Sequence, residues 1–302
     1  MKSSGRPVLK RGGRIAVVSP ASYAQPELID RGVARLRAFG YDVVVMPNAR
    51  ERGPLYYAGT AQKRVADLHA AFEDESIGAI VCTRGGWGSA ELLPLLDAEI
   101  VRTNPKPFIG YSDHTSLHAW MWNECGLPTV YGAMVASDWA KDDGVDEPTW
   151  LAAVEGAAPW SVDASDGVRV LREGAAVEGR LLGGCLSILC EALGTPYALQ
   201  IEEPCILFCE DIGTKPYKWD RLLQHWKFAG MMENVRGIVL GDMSANVEPQ
   251  EMELLEGACL HALRDFEGPI TIGLKCGHLE KQNRSLPLGA WVGMDGASLR
   301  EN

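Results

Sequence analysis

The sequence predicts an α/β protein whose first half is a parallel sheet covered on both faces, followed by a second domain of different character. Two observations carry this. From Arg14 onward, short apolar runs alternate with segments of helical periodicity, the rhythm of a parallel sheet linked by crossover helices. The chain is 302 residues long, with 46% hydrophobic and 23% charged residues, which fits a well-packed globular protein with room for two domains.

Taken in order, residues 14–18 read as a buried strand and 26–39 as a helix with Gly40 as its stop. Residues 42–46 read as a strand, and 60–72 as a helix with Val65, Leu68 and Ala71 on one face. Strand 77–82, helix 89–96, strand 108–109 and a helix from Thr115 to Glu124 complete the first half. Between Ala136 and Val177 the pattern weakens into Asp, Gly, Ala and Pro, with Trp139, Trp150 and Trp160. This segment reads as a linker with a surface excursion, dividing the chain into domains of residues 1–162 and 163–302. The second half holds helix 184–193, strand 205–209, helix 219–228, strand 237–240, helix 251–264 and strand 270–272. A strand over 290–292 is expected to close the chain.

With 29 basic against 40 acidic residues the net charge is −11, which argues against nucleic acid or an anionic membrane as partner. The first 14 residues are basic, but only Ile15-Ala16-Val17-Val18 follow as an apolar run. A secretory h-region takes about 7–15 apolar residues, and a membrane span about 18–20, so a soluble cytoplasmic protein is expected. Of the eight cysteines, Cys82, Cys205 and Cys209 lie in strand-like runs and Cys185 and Cys190 in a helix-like one. With no Cys-x-x-Cys pair, buried free thiols are the expectation.

Gly110-Tyr111-Ser112-Asp113 places a serine between a strand and a helix. Such a serine stands above the sheet edge with helix N–H groups behind it, as in a nucleophile elbow. His114 occupies the position of the second elbow glycine, and Ser112 or Asp113 would equally serve as a helix N-cap. Thr83-Arg84-Gly85-Gly86-Trp87-Gly88-Ser89 also joins a strand to a helix. Its glycines let backbone approach a ligand, or merely make a tight turn; it lacks both dinucleotide and phosphate-loop signatures. Glu210-Asp211 leave a buried strand, either as caps or with one acid placed to orient a histidine. His278 lies in a loop, where packing gives histidine no role; it is either simply solvated or a general base. His114 and His118 have i,i+4 spacing but lack the glutamate of a zinc helix, so no metal is expected. In chain order Ser112, Glu210 and His278 can form a triad: a serine needs an imidazole to take its proton, and the imidazole needs a carboxylate to hold its tautomer.

Several motifs occur together and in order: Tyr57-Ala58-Gly59-Thr60, Arg84-Gly85-Gly86-Trp87-Gly88, Ile109-Gly110-Tyr111-Ser112-Asp113 and Gly194-Thr195-Pro196-Tyr197. They continue with Phe208-Cys209-Glu210-Asp211, Gly237-Ile238-Val239-Leu240-Gly241-Asp242, Gly277-His278 and Leu286-Pro287-Leu288-Gly289. Over nearly its whole length the chain thereby resembles the LD-carboxypeptidases, or muramoyl-tetrapeptide carboxypeptidases, with the microcin C self-immunity proteins as a sister branch.

The resemblance implies a flavodoxin-like N-terminal domain and a smaller swivelling β/β/α C-terminal domain with the active site between them. It implies Ser112 as nucleophile, Glu210 as orienting acid and His278 as general base, with backbone N–H groups of Gly86 and Asp113 as the oxyanion hole. Arg84 and Trp87 are the expected substrate contacts. No cofactor is implied, a murein tetrapeptide is the expected substrate, and a homodimer the expected assembly. Two departures bear on specificity: Cys185 stands where the family commonly has asparagine, and Trp87 where tyrosine is frequent. An immunity-type hydrolase of aminoacyl-nucleotide analogues is the rival enzyme reading. An α/β ligand-binding module, with Ser112 only a cap, is the non-enzyme one.

Overall fold

Buried apolar runs in the first half pair as parallel strands because helical segments between them carry the chain back across the sheet. The computed structural model describes residues 5–302, so the first four residues of the basic N-terminal segment lie outside it. The order is β1 (Arg14–Val18), α1 (Pro26–Ala38), β2 (Asp42–Val45), α2 (Ala61–Glu73) and β3 (Ala79–Cys82). It continues with α3 (Ala98–Thr103), β4 (Phe108–Gly110), α4 (Thr115–Cys125) and β5 (Thr129–Tyr131). Thr60 caps α2 by accepting from the Lys63 amide, and Gly126 ends α4 in the left-handed conformation. Residues 89–96 form a 3-10 helix over Ser89–Leu95 rather than an α-helix, since Pro94 lies within it.

The second half contains α5 (Glu147–Trp150), β6 (Ser161–Val162), β7 (Arg169–Arg172), β8 (Val177–Cys185), α6 (Leu186–Glu191) and β9 (Cys205–Glu210). Then come α7 (Pro216–Phe228), β10 (Val235–Gly241), α8 (Met252–Ala262), β11 (Ile270–Leu274), β12 (Leu286–Leu288), β13 (Trp291–Asp295) and β14 (Ser298–Glu301). The first sheet has the order β12-β5-β4-β3-β1-β2 and the second β6-β14-β13-β8-β9-β10-β11-β7. Strands β1 to β5 are mutually parallel in the 2-1-3-4-5 order of a flavodoxin-like sheet, and β12 joins antiparallel at the edge. Strands β8 to β11 form a parallel centre flanked by antiparallel strands. The expected class, α/β with a parallel-sheet N-terminal domain and a second domain, is the one observed.

One apolar cluster runs from both faces of the first sheet to Leu181, Ile206, Phe208 and Val239 of the second, so the two sheets share a core. A separate cluster under α6, α7 and α8 buries Leu189, Trp219, Trp226 and Cys259. All eight cysteines are free thiols.

Further expectations need correction. The segment between Ala136 and Val177 is not a surface excursion: Trp150 and Trp160 are fully buried and Trp139 nearly so. The Trp150 indole N–H donates to Tyr41 Oη at 2.9 Å and that of Trp160 to the Ser285 carbonyl at 2.7 Å. Trp139 packs edge-on against Trp150 with ring centres 5.0 Å apart. The expected helix start at residues 184–185 is instead the end of β8, whose Gly179, Gly183 and Gly184 interrupt the period-two pattern that would reveal a strand. Cys185 thus ends a strand, and the chain closes on β14, not on β13.

Candidate active site

In a parallel sheet the carboxyl ends of the strands meet at one edge, and there loops can converge. Four such ends contribute: β3 leads into Arg84–Gly88, β4 into Ser112, β9 ends on Glu210, and β11 runs on to His278. Ser112 sits at φ 64°, in the left-handed region that non-glycine residues rarely occupy. That strain is the signature of an elbow rather than of a helix cap, and Ser112 makes no side-chain capping bond.

The Ser112 Oγ–H donates to His278 Nε2 at 2.8 Å, across 166 residues of sequence. The His278 Nδ1–H donates to Glu210 Oε2 at 2.8 Å, and the His278 backbone N–H reaches the same oxygen at 3.2 Å. Glu210 is 1% exposed. Its approach depends on Gly277, which has φ +98° and whose missing Cβ would lie 2.5 Å from Glu210 Oε2. Burial alone would pull the His278 imidazolium down, but the Glu210 carboxylate, with Asp211 and Asp138 beyond it, outweighs this and the net direction is up. Asn283 clamps the loop, accepting from the Gly277 amide at 2.9 Å and donating to its carbonyl at 3.0 Å and to Asp138 at 3.3 Å.

Asp211 separates cleanly from Glu210. It points away from the histidine and accepts from the Ser187 amide at 2.8 Å in the first turn of α6. Asp113 also acts across elements: its carboxylate is buried and accepts from the Ser89 amide at 2.8 Å. The backbone amides of Gly86 and Asp113 donate to no acceptor among the described residues, and neither does that of Gly85. Arg84 is exposed, and its guanidinium has no partner among the described residues. Trp87 is 37% exposed, its amide bonded to Ser22 Oγ at 3.1 Å. A cleft of about 760 Å³ opens beside His278, lined also by Tyr111, Lys141, Ile212 and Ser244.

The two helix histidines tie neighbouring segments together, His114 the glycine loop and His118 the ends of β4 and β5. The His114 ring donates from Nε2 to the Arg84 carbonyl and accepts at Nδ1 from Ser89 Oγ, both at 3.0 Å. His118 does likewise with the Gly110 carbonyl at 2.9 Å and Thr129 Oγ1 at 2.8 Å. Burial pushes His114 down to about 3 and His118 to about 4, so both are neutral.

Some of the site's residues carry no sequence signal. Arg64, on α2 and 2% exposed, donates to the carbonyls of Pro20 at 2.7 Å and Gly88 at 2.8 Å, fixing the glycine loop. Tyr131 contacts both Ser112 and Glu210. An arginine within a helix and a tyrosine ending a three-residue strand look ordinary until the strands are assembled.

Residues 15–132 match the model of the LD-carboxypeptidase N-terminal domain and residues 178–294 that of the LD-carboxypeptidase C-terminal domain. A Bacillus subtilis protein named "Probable murein peptide carboxypeptidase" is 32% identical over 298 residues, covering 96% of this chain and 91% of its own. The "Murein tetrapeptide carboxypeptidase" of Pseudomonas aeruginosa is 29% identical over 296 residues, covering 95% of each chain. In three dimensions the crystal structure of an MccF-like protein from Bacillus anthracis superposes with a TM-score of 0.87 at 24% identity, covering 99% of each chain, which speaks to the fold. With both domain models matched across the two sheets, the chain belongs to the LD-carboxypeptidase family and is a serine-type carboxypeptidase.

Proposed function

We propose that this carboxypeptidase removes the terminal D-alanine from murein tetrapeptides, cutting the L,D bond after meso-diaminopimelate, and serves peptidoglycan recycling in the cytoplasm. The observation that carries the reading is the unbroken chain Ser112 Oγ–His278 Nε2 and His278 Nδ1–Glu210 Oε2, each 2.8 Å, beside an open cleft. Ser112 attacks the scissile carbonyl carbon while His278 takes its proton; Glu210 keeps the proton of Nδ1 in place and stabilises the imidazolium. The oxyanion is held by the backbone N–H groups of Gly86 and Asp113, each such donor lowering the barrier by about 2.7–4 kcal/mol. As the tetrahedral intermediate collapses, His278 returns the proton to the leaving amine of D-alanine, and water then hydrolyses the acyl ester by the same route. Arg84, exposed and without a partner for its guanidinium among the described residues, offers two parallel donors to a substrate carboxylate, and exposed Trp87 offers an apolar face beside it.

The test is a substrate panel of defined tetrapeptide, the pentapeptide ending in D-Ala–D-Ala, and an aminoacyl-sulfamoyl-adenosine. D-Alanine release from the tetrapeptide, with the pentapeptide intact, is expected. Selective cleavage of the nucleotide analogue with the tetrapeptide untouched would transfer the chain to the immunity branch.

A further inference from the structure

We propose that Tyr131 is a positioning residue of the active site, its hydroxyl tying the backbone of the nucleophile to the carboxylate that orients the histidine. The inference rests on the assignment of Ser112, His278 and Glu210 above. Tyr131 ends β5 and is paired with Gly110 on β4, which brings its ring beneath the turn that carries Ser112. On the other side it pairs with Leu286 of β12. The side chain is fully buried, with Phe208, His118 and Tyr111 ring centres at 5.5, 5.7 and 6.0 Å. A Cβ at Gly184 would lie 3.2 Å from its Cε2, so the glycine leaves the room the ring needs in the orientation it takes.

In that orientation a single oxygen makes two bonds. It accepts the Ser112 amide N–H at 3.0 Å and donates to Glu210 Oε1 at 2.5 Å. The direction of the second bond is set, because burial and then the Glu210 charge push the phenol well above its ordinary pKa and keep its proton on. Glu210 is thereby held at both oxygens, Oε2 by His278 and Oε1 by Tyr131. A tyrosine kept only for packing would not need its hydroxyl here, where an unbonded one is costly to bury. Two consequences follow. The amide bond helps hold Ser112 at its strained φ of 64°. The donated proton draws off part of the carboxylate charge, so losing it strengthens the pull of Glu210 on the His278 proton.

Tyr131→Phe removes only the oxygen. In a D-alanine release assay across pH, kcat should fall about 10- to 100-fold, the loss typical when a group that orients a site residue is removed, with KM unchanged. The acid limb should move to higher pH, because the Glu210 carboxylate then acts on His278 with its full charge while the more distant charges of Asp211 and Asp138 are unchanged. A tyrosine that only packs would lower activity equally at every pH and leave the limb in place. Fluorotyrosine at position 131 keeps the shape, donates more strongly and should move the limb the opposite way; it decides the matter if Tyr131→Phe does not fold. A limb unmoved in the fluorinated protein, or wild-type kcat and limb in Tyr131→Phe, would overturn the inference while Ser112→Ala remains inactive. Activity surviving in Ser112→Ala would instead overturn the triad assignment beneath it.

Discussion

Gly85→Ala tests how tightly the glycine loop and the nucleophile are fitted. Gly85 does not have a positive φ, so alanine is compatible with its backbone and the effect is one of space. The added methyl would lie 2.8 Å from Ser112 Cβ, 3.1 Å from Ser112 Oγ and 3.4 Å from the Asp113 amide nitrogen. Ordinary carbon–carbon contact needs about 3.5–4.0 Å, so the serine or the loop must give way by roughly 0.7 Å or more. Ser112 cannot retreat from the methyl without disturbing its 2.8 Å bond to His278, and the loop cannot retreat without moving its own amides away from the oxyanion position proposed above. Misplacement by about 1 Å costs on the order of 100-fold in rate, so kcat for D-alanine release should fall about 10- to 100-fold. The substitution removes no core contact, and the thermal midpoint should stay close to wild type. Wild-type kcat in a correctly folded Gly85→Ala protein would refute the claim that this loop and Ser112 form one reacting surface.

Two further outcomes follow from charge and burial. In its proposed role as base His278 must be neutral, and its pKa is raised, so the acid limb of kcat/KM should lie above the ordinary histidine value of about 6.5. The same shift makes the protonated form stabilise the fold, a contribution fully present below about 6.5 and lost as pH rises through the folded value; thermal midpoints should therefore soften over the range where activity appears, and a limb below 6.5 would contradict the assignment. Trp150→Ala should lower the unfolding free energy by about 3–5 kcal/mol in denaturant titration, because this indole is fully buried and bonded to Tyr41; a loss under about 0.5 kcal/mol would mean a surface residue after all.

Much of the fold was legible because the first half obeys local rules. Residues 14–18 and 205–209 are strand-like on their face, and Ser112 is conspicuous because Phe108-Ile109 precede it and a helical pattern follows. Where local pattern fails, so does reading it. Thr129-Val130-Tyr131 and Leu286-Pro287-Leu288 are too short to show a period, and the proline of the latter is admissible because β12 is an edge strand. The tryptophans of the 136–177 segment sit among Asp, Gly and Pro, and only tertiary contact with Tyr41 and Ser285 shows that they are core. At the site, sequence could propose Ser112, Glu210 and His278 but not separate Glu210 from Asp211. That separation arises where β9 ends: the carboxylate of its last residue faces the histidine loop, and that of the next residue faces the first turn of α6. Arg64 and Tyr131 act through the carbonyls and hydroxyl they hold in place, which no spacing along the chain encodes.

The central claim, that Ser112 is the nucleophile, is tested most directly by comparing D-alanine release from murein tetrapeptide by the wild-type protein and by Ser112→Ala. The expected result is a fall in kcat of up to about a million-fold, with the Ser112→Ala/His278→Ala double variant little worse than either single one. Turnover by Ser112→Ala within tenfold of wild type would place the chemistry elsewhere in the molecule.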